Sequence, residues 1–284
     1  MSPLSTYLSF VRFSHTVFAL PFALTGALLA WRMRPFSWTQ VGWIVVCMVS
    51  ARSAAMGFNR LADARHDALN PRTAMRELPR GAMTVAEARV FVIVASVVFV
   101  YAAARLSTLC LVLAPVALAI VFWYSLAKRY TTYTQLFLGL AMAVAPVGGW
   151  IAAGGRGGPE PWLLGLAIGL WVGGFDILYA CQDVEFDRAH GLRSIPARFG
   201  VARSIVLSRV MHVAAVTCMA LLWRAADLPP FYLAGVAFVA VLLVYEQSLV
   251  SRDDLSQVKK AFDLNGWVGI VYFLSTAASL YLAR

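Results

Sequence analysis

Nine stretches of about 20 mostly apolar residues constrain this chain most, because a helix needs about that length to cross some 30 Å of hydrocarbon. They lie near residues 15–32, 38–58, 85–104, 107–127, 135–153, 161–181, 203–223, 231–249 and 264–283. Lipid offers no water to unpaired backbone groups, so segments of this kind are helices or strands of a closed barrel. The alternation of a barrel strand is missing, which leaves helices. Composition agrees: 61% of the 284 residues are apolar and only 13% are charged, where soluble domains run about half apolar and a quarter charged. The expectation is an all-α, polytopic membrane bundle of about nine transmembrane helices, forming one integral-membrane domain over residues 1–284.

Charge orients the bundle. The 24 Lys and Arg outnumber the 14 Asp and Glu, for a net charge of +10. The basic residues gather at the N-terminus and in the loops after the second, fourth, sixth and eighth spans. The positive-inside rule then places the N-terminus and those loops in the cytoplasm, and an odd number of spans sends the C-terminus outside. The first span starts after Arg12 as a signal peptide would, but no A-x-A cleavage text follows, so it is expected to stay as an anchor. No arginine-rich arm or basic helix is present to track phosphates along a duplex. The lipid bilayer is the expected partner, and nucleic acid is not.

Acidic residues are costly in a membrane protein, so their positions carry information. Two cytoplasmic loops hold paired aspartates. One reads Asn59-Arg-Leu-Ala-Asp63-Ala-Arg-His-Asp67, followed by Asn70-Pro71-Arg72-Thr73; the other reads Cys181-Gln182-Asp183-Val-Glu185-Phe-Asp187-Arg188. In both, the aspartates stand four apart, on one face of a helix and one turn from each other. Carboxylates at that spacing repel unless a cation sits with them. The bland reading is a pair of solvated loop helices whose acids pair with Arg60, Arg65 and Arg188. The matched arrangement on one side of the membrane favours another: hard oxygen donors that hold Mg2+ on a diphosphate, since Mg2+ takes a few carboxylates and completes its shell with water and phosphate oxygens.

The motifs follow spans four apart, as in two similar four-helix halves plus one further helix. Asp176 lies in the sixth span, seven residues before Asp183 and on its face, and an intramembrane carboxylate marks a cavity or polar path. Tyr124, Lys128 and Arg129 close the fourth span at the level of the aspartates. Snorkelling cations beside an aromatic belt would look the same; with a diphosphate present they become candidate leaving-group clamps.

Other chemistry-bearing residues give blander readings. Cys47, Cys110, Cys181 and Cys218 are scattered singly, as small buried apolar residues rather than ligands or disulfides. Gly165, Gly169 and Gly173 form a stripe that lets a neighbouring helix approach. His66 sits on a different face from the flanking aspartates, His190 is in a solvated loop, and His15 and His212 read as packed polar residues.

The paired signatures resemble those of the UbiA-type intramembrane prenyltransferases: Asn59-x3-Asp63-x3-Asp67 is similar to the first and Asp183-x3-Asp187 to the second. The text around them is similar to the 4-hydroxybenzoate polyprenyltransferase branch. It includes Arg76, Leu78, Pro79 and Gly81, Tyr124-x3-Lys128-Arg129-Tyr130, Gly191-Leu192-x-Ser194-Ile195-Pro196, Arg198-Phe199-Gly200, and His15-Thr16-x-Phe18-Ala19-Leu20-Pro21-Phe22. The resemblance implies an enzyme of quinone biosynthesis that moves a polyprenyl group from polyprenyl diphosphate to an aromatic acid, with Mg2+. It implies that Asn59, Asp63, Asp67, Asp183 and Asp187 hold metal and diphosphate, with Arg72 beside them. Lys128 and Arg129 would neutralise the leaving diphosphate, Tyr124 would line the site near the allylic cation, and Arg12 would bind the acceptor's carboxylate; by position, Tyr179 offers that cation a second aromatic face and Asp176 a polar lining. Asn59 is followed by Arg60 where many ubiquinone-pathway members have aspartate. The texts around Asp67 and Gln182 are closer to members that use a naphthoate, so both 4-hydroxybenzoate and dihydroxynaphthoate stand as acceptors. The implied place is the inner membrane of a bacterium, with the active site facing the cytoplasm.

A secondary transporter is the rival of another class, but carriers keep their coupling acids near the midplane, where only Asp176 and Glu246 qualify. A CDP-alcohol phosphotransferase needs its aspartates within one short segment, which is absent.

Overall fold

The computed structural model describes residues 3–11 and 19–282. In chain order the helices are α1 (Pro3–Phe10), α2 (Leu20–Ala30), α3 (Trp38–Leu69), α4 (Val85–Leu106), α5 (Thr108–Tyr130), α6 (Thr134–Ala152), α7 (Glu160–Ala180), α8 (Val184–Ala189), α9 (Ile195–Phe199), α10 (Val201–Ala225), α11 (Phe231–Ser248) and α12 (Val258–Leu282). No strand occurs among the described residues. Among the described residues, seven helices are long and apolar enough to cross a membrane: α3 to α6, α7 with its continuation to Ala189, α10 and α11. The first and last expected spans fall on α2, which has 11 residues, and on α12, which carries Lys259, Lys260 and Asp263 in its opening turns.

Local sequence sets the helix starts. Ser37 caps α3 by accepting from the Gln40 amide. Thr84 and Glu87 form a reciprocal capping box on α4, so two amides that would otherwise lack partners are satisfied. Packing is inside-out relative to a soluble protein. On α4, Val90, Ile93, Val94, Val97 and Tyr101 are exposed, at the three- and four-residue spacing of one helical face, while Ala88, Val92, Ala95 and Ala102 are buried. An apolar stripe of that length facing outward suits lipid. The chain is an integral membrane protein.

The chain divides into two compact units interleaved in sequence: residues 1–20 with 37–126, and residues 21–36 with 127–284. In the first, α3 packs along α4, and Phe10 and Val11 of the α1 end bury with Met83 and Ala88. In the second, α7 packs against α6 and α10. Gly139 faces the Gly169 carbonyl so closely that any Cβ would collide with it, as Gly26 does with Pro146 and Gly149 with Ala23. Gly165, Gly169 and Gly173 approach Ala143, Gly139 and Gln135 of α6, so the stripe serves packing. Buried polar side chains here bond to one another: Trp171 Nε1 donates to Asn265 at 2.7 Å, Gln247 donates to Ser208 at 2.8 Å, and the Tyr232 and Tyr272 hydroxyls meet at 2.6 Å. The four cysteines form no disulfide.

Candidate active site

The first motif stands on α3, which runs unbroken for 32 residues, well past the apolar stretch, so that Asn59, Asp63 and Asp67 follow one another a turn apart on one face. Asp63 and Asp67 are 4% and 7% exposed. The Asn59 amide donates to Asp63 Oδ2 at 3.3 Å. The cation that meets Asp67 is Arg76, from the loop after the helix, whose Nη1 lies 2.8 Å from both carboxylate oxygens. Thr73 Oγ1 donates to the Asp67 carbonyl at 3.1 Å. The expected Arg60 is buried and donates through Nε to the Phe10 carbonyl, tying α1 to α3. Arg72 is exposed, in a turn where its amide bonds Asn70 Oδ1 at 2.9 Å.

The second motif is built differently, and here the expected single helix is corrected. α7 ends at Ala180, Cys181–Asp183 form a turn of 3₁₀-helix, and α8 begins at Val184. Asp183 is the last residue of that turn and the N-cap of α8, and Asp187 follows it within α8. Asp187 Oδ2 accepts from Ser194 Oγ at 2.8 Å, and Ser194 also caps α9. Asp176 lies within electrostatic reach of both Asp183 and Lys128, which gathers three of the expected residues. Lys128 is half-buried and Arg129 exposed at the end of α5. Arg193 staples the loop after α8 to that end, through its amide to the Lys128 carbonyl at 2.8 Å and its guanidinium to the Tyr130 carbonyl at 2.7 Å. Tyr179 packs on Phe262 with ring centroids 4.9 Å apart. His190 is exposed and stacks on Phe186, and His212 accepts or donates within the core beside Trp171 and Gln247; neither approaches a metal-ligand set. Arg12 and His15 lie outside the described residues.

Sequence reasoning passed over three residues. Arg52 lies within a membrane-spanning helix, seven residues before Asn59 and on its face, with Tyr124 in electrostatic reach; an intramembrane cation is itself a functional signal. Arg193 occupied an unassigned position between Leu192 and Ser194. Glu77, 5% exposed, accepts from Ser9 at 2.5 Å, which no spacing rule would pair.

The donor chemistry fits Mg2+. No group of three or more His, Cys, Asp or Glu among the described residues could hold a metal alone. Each motif offers two carboxylates, and the first adds an amide, a hard and incomplete oxygen set of the sort Mg2+ completes with water and phosphate.

Fold and site together define an integral-membrane α-helical enzyme with paired acids at the end of α3 in one unit and, in the other, acids and cations at the ends of α5 and α7. Comparison with known proteins sharpens that class. The model of the UbiA prenyltransferase family matches residues 19–275. A 4-hydroxybenzoate octaprenyltransferase of Citrobacter koseri is 32% identical over 241 residues, covering 84% of this chain and 83% of that protein. One from Marinobacter nauticus is 33% identical over 81% of this chain and 78% of its own length. The structure of a UbiA homolog from Aeropyrum pernix K1 superposes with a TM-score of 0.86 at 36% identity, covering 93% of this chain and 98% of that one. A UbiA homolog from Archaeoglobus fulgidus, solved bound to GPP and Mg2+, shares the fold at a TM-score of 0.73 and 18% identity, over 97% of this chain and 99% of that one. The chain belongs to the UbiA prenyltransferase family, and it is a prenyltransferase.

Proposed function

We propose that this enzyme transfers a polyprenyl group from its diphosphate to the ring of 4-hydroxybenzoate, with Mg2+, as one catalytic domain over residues 1–284. The observation that carries the reaction is the pair of aspartate motifs, each beside cations, at the ends of membrane helices. The names of the curated relatives support the acceptor. Carboxylates from each motif hold the diphosphate through the metal, with Asn59 orienting Asp63 and Arg72 in the adjoining turn. Mg2+ bound there would supply Lewis-acid stabilisation of the leaving group.

The remaining chemistry belongs to the chain. Lys128 and Arg129 draw the negative charge that builds as the C–O bond breaks. The aromatic faces of Tyr124 and Tyr179 stabilise the allylic cation by about 0.5–2 kcal/mol each. The lipid-embedded helices keep water from that cation until the phenol-activated ring attacks it, forming the C–C bond and then losing the ring proton to a base as diphosphate leaves with the metal. Asp176 provides a polar lining. An acidic acceptor needs a cation for its carboxylate, a role assigned to Arg12 by resemblance and to Arg52 by its place on the Asn59 face. The density of basic residues around the motifs supports a cytoplasmic N-terminus and active site, in the inner membrane of a bacterium.

The test is mass spectrometry of products from membranes given Mg2+, mixed polyprenyl diphosphates, 4-hydroxybenzoate and dihydroxynaphthoate. Prenylated 4-hydroxybenzoate is expected. A prenylated naphthoate alone would move the acceptor, and substrate uptake into vesicles without pyrophosphate release would overturn prenyl transfer.

A further inference from the structure

In both motifs the second aspartate grips the loop that follows it. Both Asp67 oxygens are engaged by Arg76 at 2.8 Å, and its carbonyl by Thr73 at 3.1 Å. Asp187 Oδ2 is engaged by Ser194 at 2.8 Å, and its carbonyl by the Leu192 amide at 2.9 Å. Asp63 is met from the other direction, by Asn59 one turn upstream.

Both loops are irregular, closed by turn hydrogen bonds and a few side-chain ties. Residues 70–83 are turns and bends without regular structure, folded back by the Ala82 and Met83 amides on the Glu77 carbonyl. Arg76 Nε is buried without a partner, so the grip of Asp67 on Nη1 is what holds the guanidinium. In the second motif, Asp187 fixes Ser194, its neighbour Arg193 bonds the carbonyls of Lys128 and Tyr130, and the leaving-group cations at the end of α5 are thereby held in place. Asp67, with both oxygens in charge-assisted bonds to Arg76, would have to give them up to ligate a metal.

We propose that the two aspartates of each motif do different work: Asp63 and Asp183 take the metal and diphosphate, while Asp67 and Asp187 are positioning residues that hold the loops 70–83 and 190–194. The division rests on the metal–diphosphate reading above. It separates what the even spacing makes look equivalent.

The test uses purified full-length protein in nanodiscs, with Mn2+ and inorganic pyrophosphate as probes, read by electron paramagnetic resonance, and hydrogen exchange of the two loops. Asp63→Asn and Asp183→Asn should weaken Mn2+ binding by more than about 100-fold, beyond the effect of losing an outer-shell partner, with loop exchange unchanged. Asp67→Asn and Asp187→Asn should weaken it by no more than about tenfold, the low end of the loss for an outer-shell partner, while each speeds exchange in its own loop and raises KM for the prenyl diphosphate more than it lowers kcat. Loss of Mn2+ by Asp67→Asn as complete as by Asp63→Asn overturns the division. Failure of the unaltered protein to bind Mn2+ with pyrophosphate overturns the reading beneath it. Arg76→Gln, which leaves Asp67 in place, covers the case in which Asp67→Asn does not fold: a loosened 70–83 loop with Mn2+ retained supports the proposal, and an unchanged loop overturns it.

Discussion

The segments around Asp63 and Asp183 carry nearly the same acidic spacing on different backbones. The first is displayed on 32 residues of continuous helix and held by an ion pair; the second begins on the last residue of a 3₁₀ turn, continues on the short helix α8, and is held by a hydroxyl. Spacing in sequence therefore fixes which residues can act together, while the partner chosen downstream fixes how firmly. A guanidinium on a mostly buried carboxylate makes a stronger and more salt-sensitive tie than a serine. The first motif is expected to be the stiffer anchor and the second the more adjustable.

The largest effect should come from removing the motifs' own chemistry. Asp63→Ala and Asp183→Ala are each expected to lower kcat/KM by about 100-fold or more, the scale of losing a preorganised electrostatic contact, in protein that still inserts and elutes as the unaltered enzyme does. Near-normal turnover by either would break the equivalence of the two motifs. Next is Arg76→Gln, which leaves Asp67 buried without its cation. With the pair partly accessible, at 21% and 9% side-chain exposure, a loss of about 2–3 kcal/mol is expected, read as a lowered melting temperature in detergent. Ser194→Ala removes one hydroxyl bond to a carboxylate and a helix cap and should cost about 1–2 kcal/mol. A Ser194→Ala effect larger than that of Arg76→Gln would reverse the ranking of the two anchors. The smallest effect is ionic: raising salt from 0.05 to 0.5 M should speed exchange in loop 70–83 by about twofold and leave 190–194 unchanged.

Much of this site was legible in the chain. Asn59, Asp63 and Asp67 fall on one face because helical periodicity does not depend on what surrounds the helix, and α3 obeys it to Leu69. The break at Cys181–Asp183 was not legible, since the apolar run before it gives no sign that the backbone tightens there. Nor was the cation on Asp67. Arg60 and Arg65 are nearer in sequence, but Arg60 points to the Phe10 carbonyl, and a loop that turns back brings Arg76 instead. Arg52 left a signal that went unused, a charge inside an apolar stretch.

The sequence by itself determined that the chain is a helical membrane protein and which acids and cations are proposed for its chemistry. Lipid forces buried backbone into helices, and each charge in such a chain is costly enough to be informative. Only the tertiary structure decided which partner each carboxylate holds: Arg76 for Asp67, Ser194 for Asp187, and the ends of α5 and α7 for Lys128 and Asp176. Those pairings depend on where irregular loops return to, and no local periodicity governs a loop; its path is set by the few hydrogen bonds that close it.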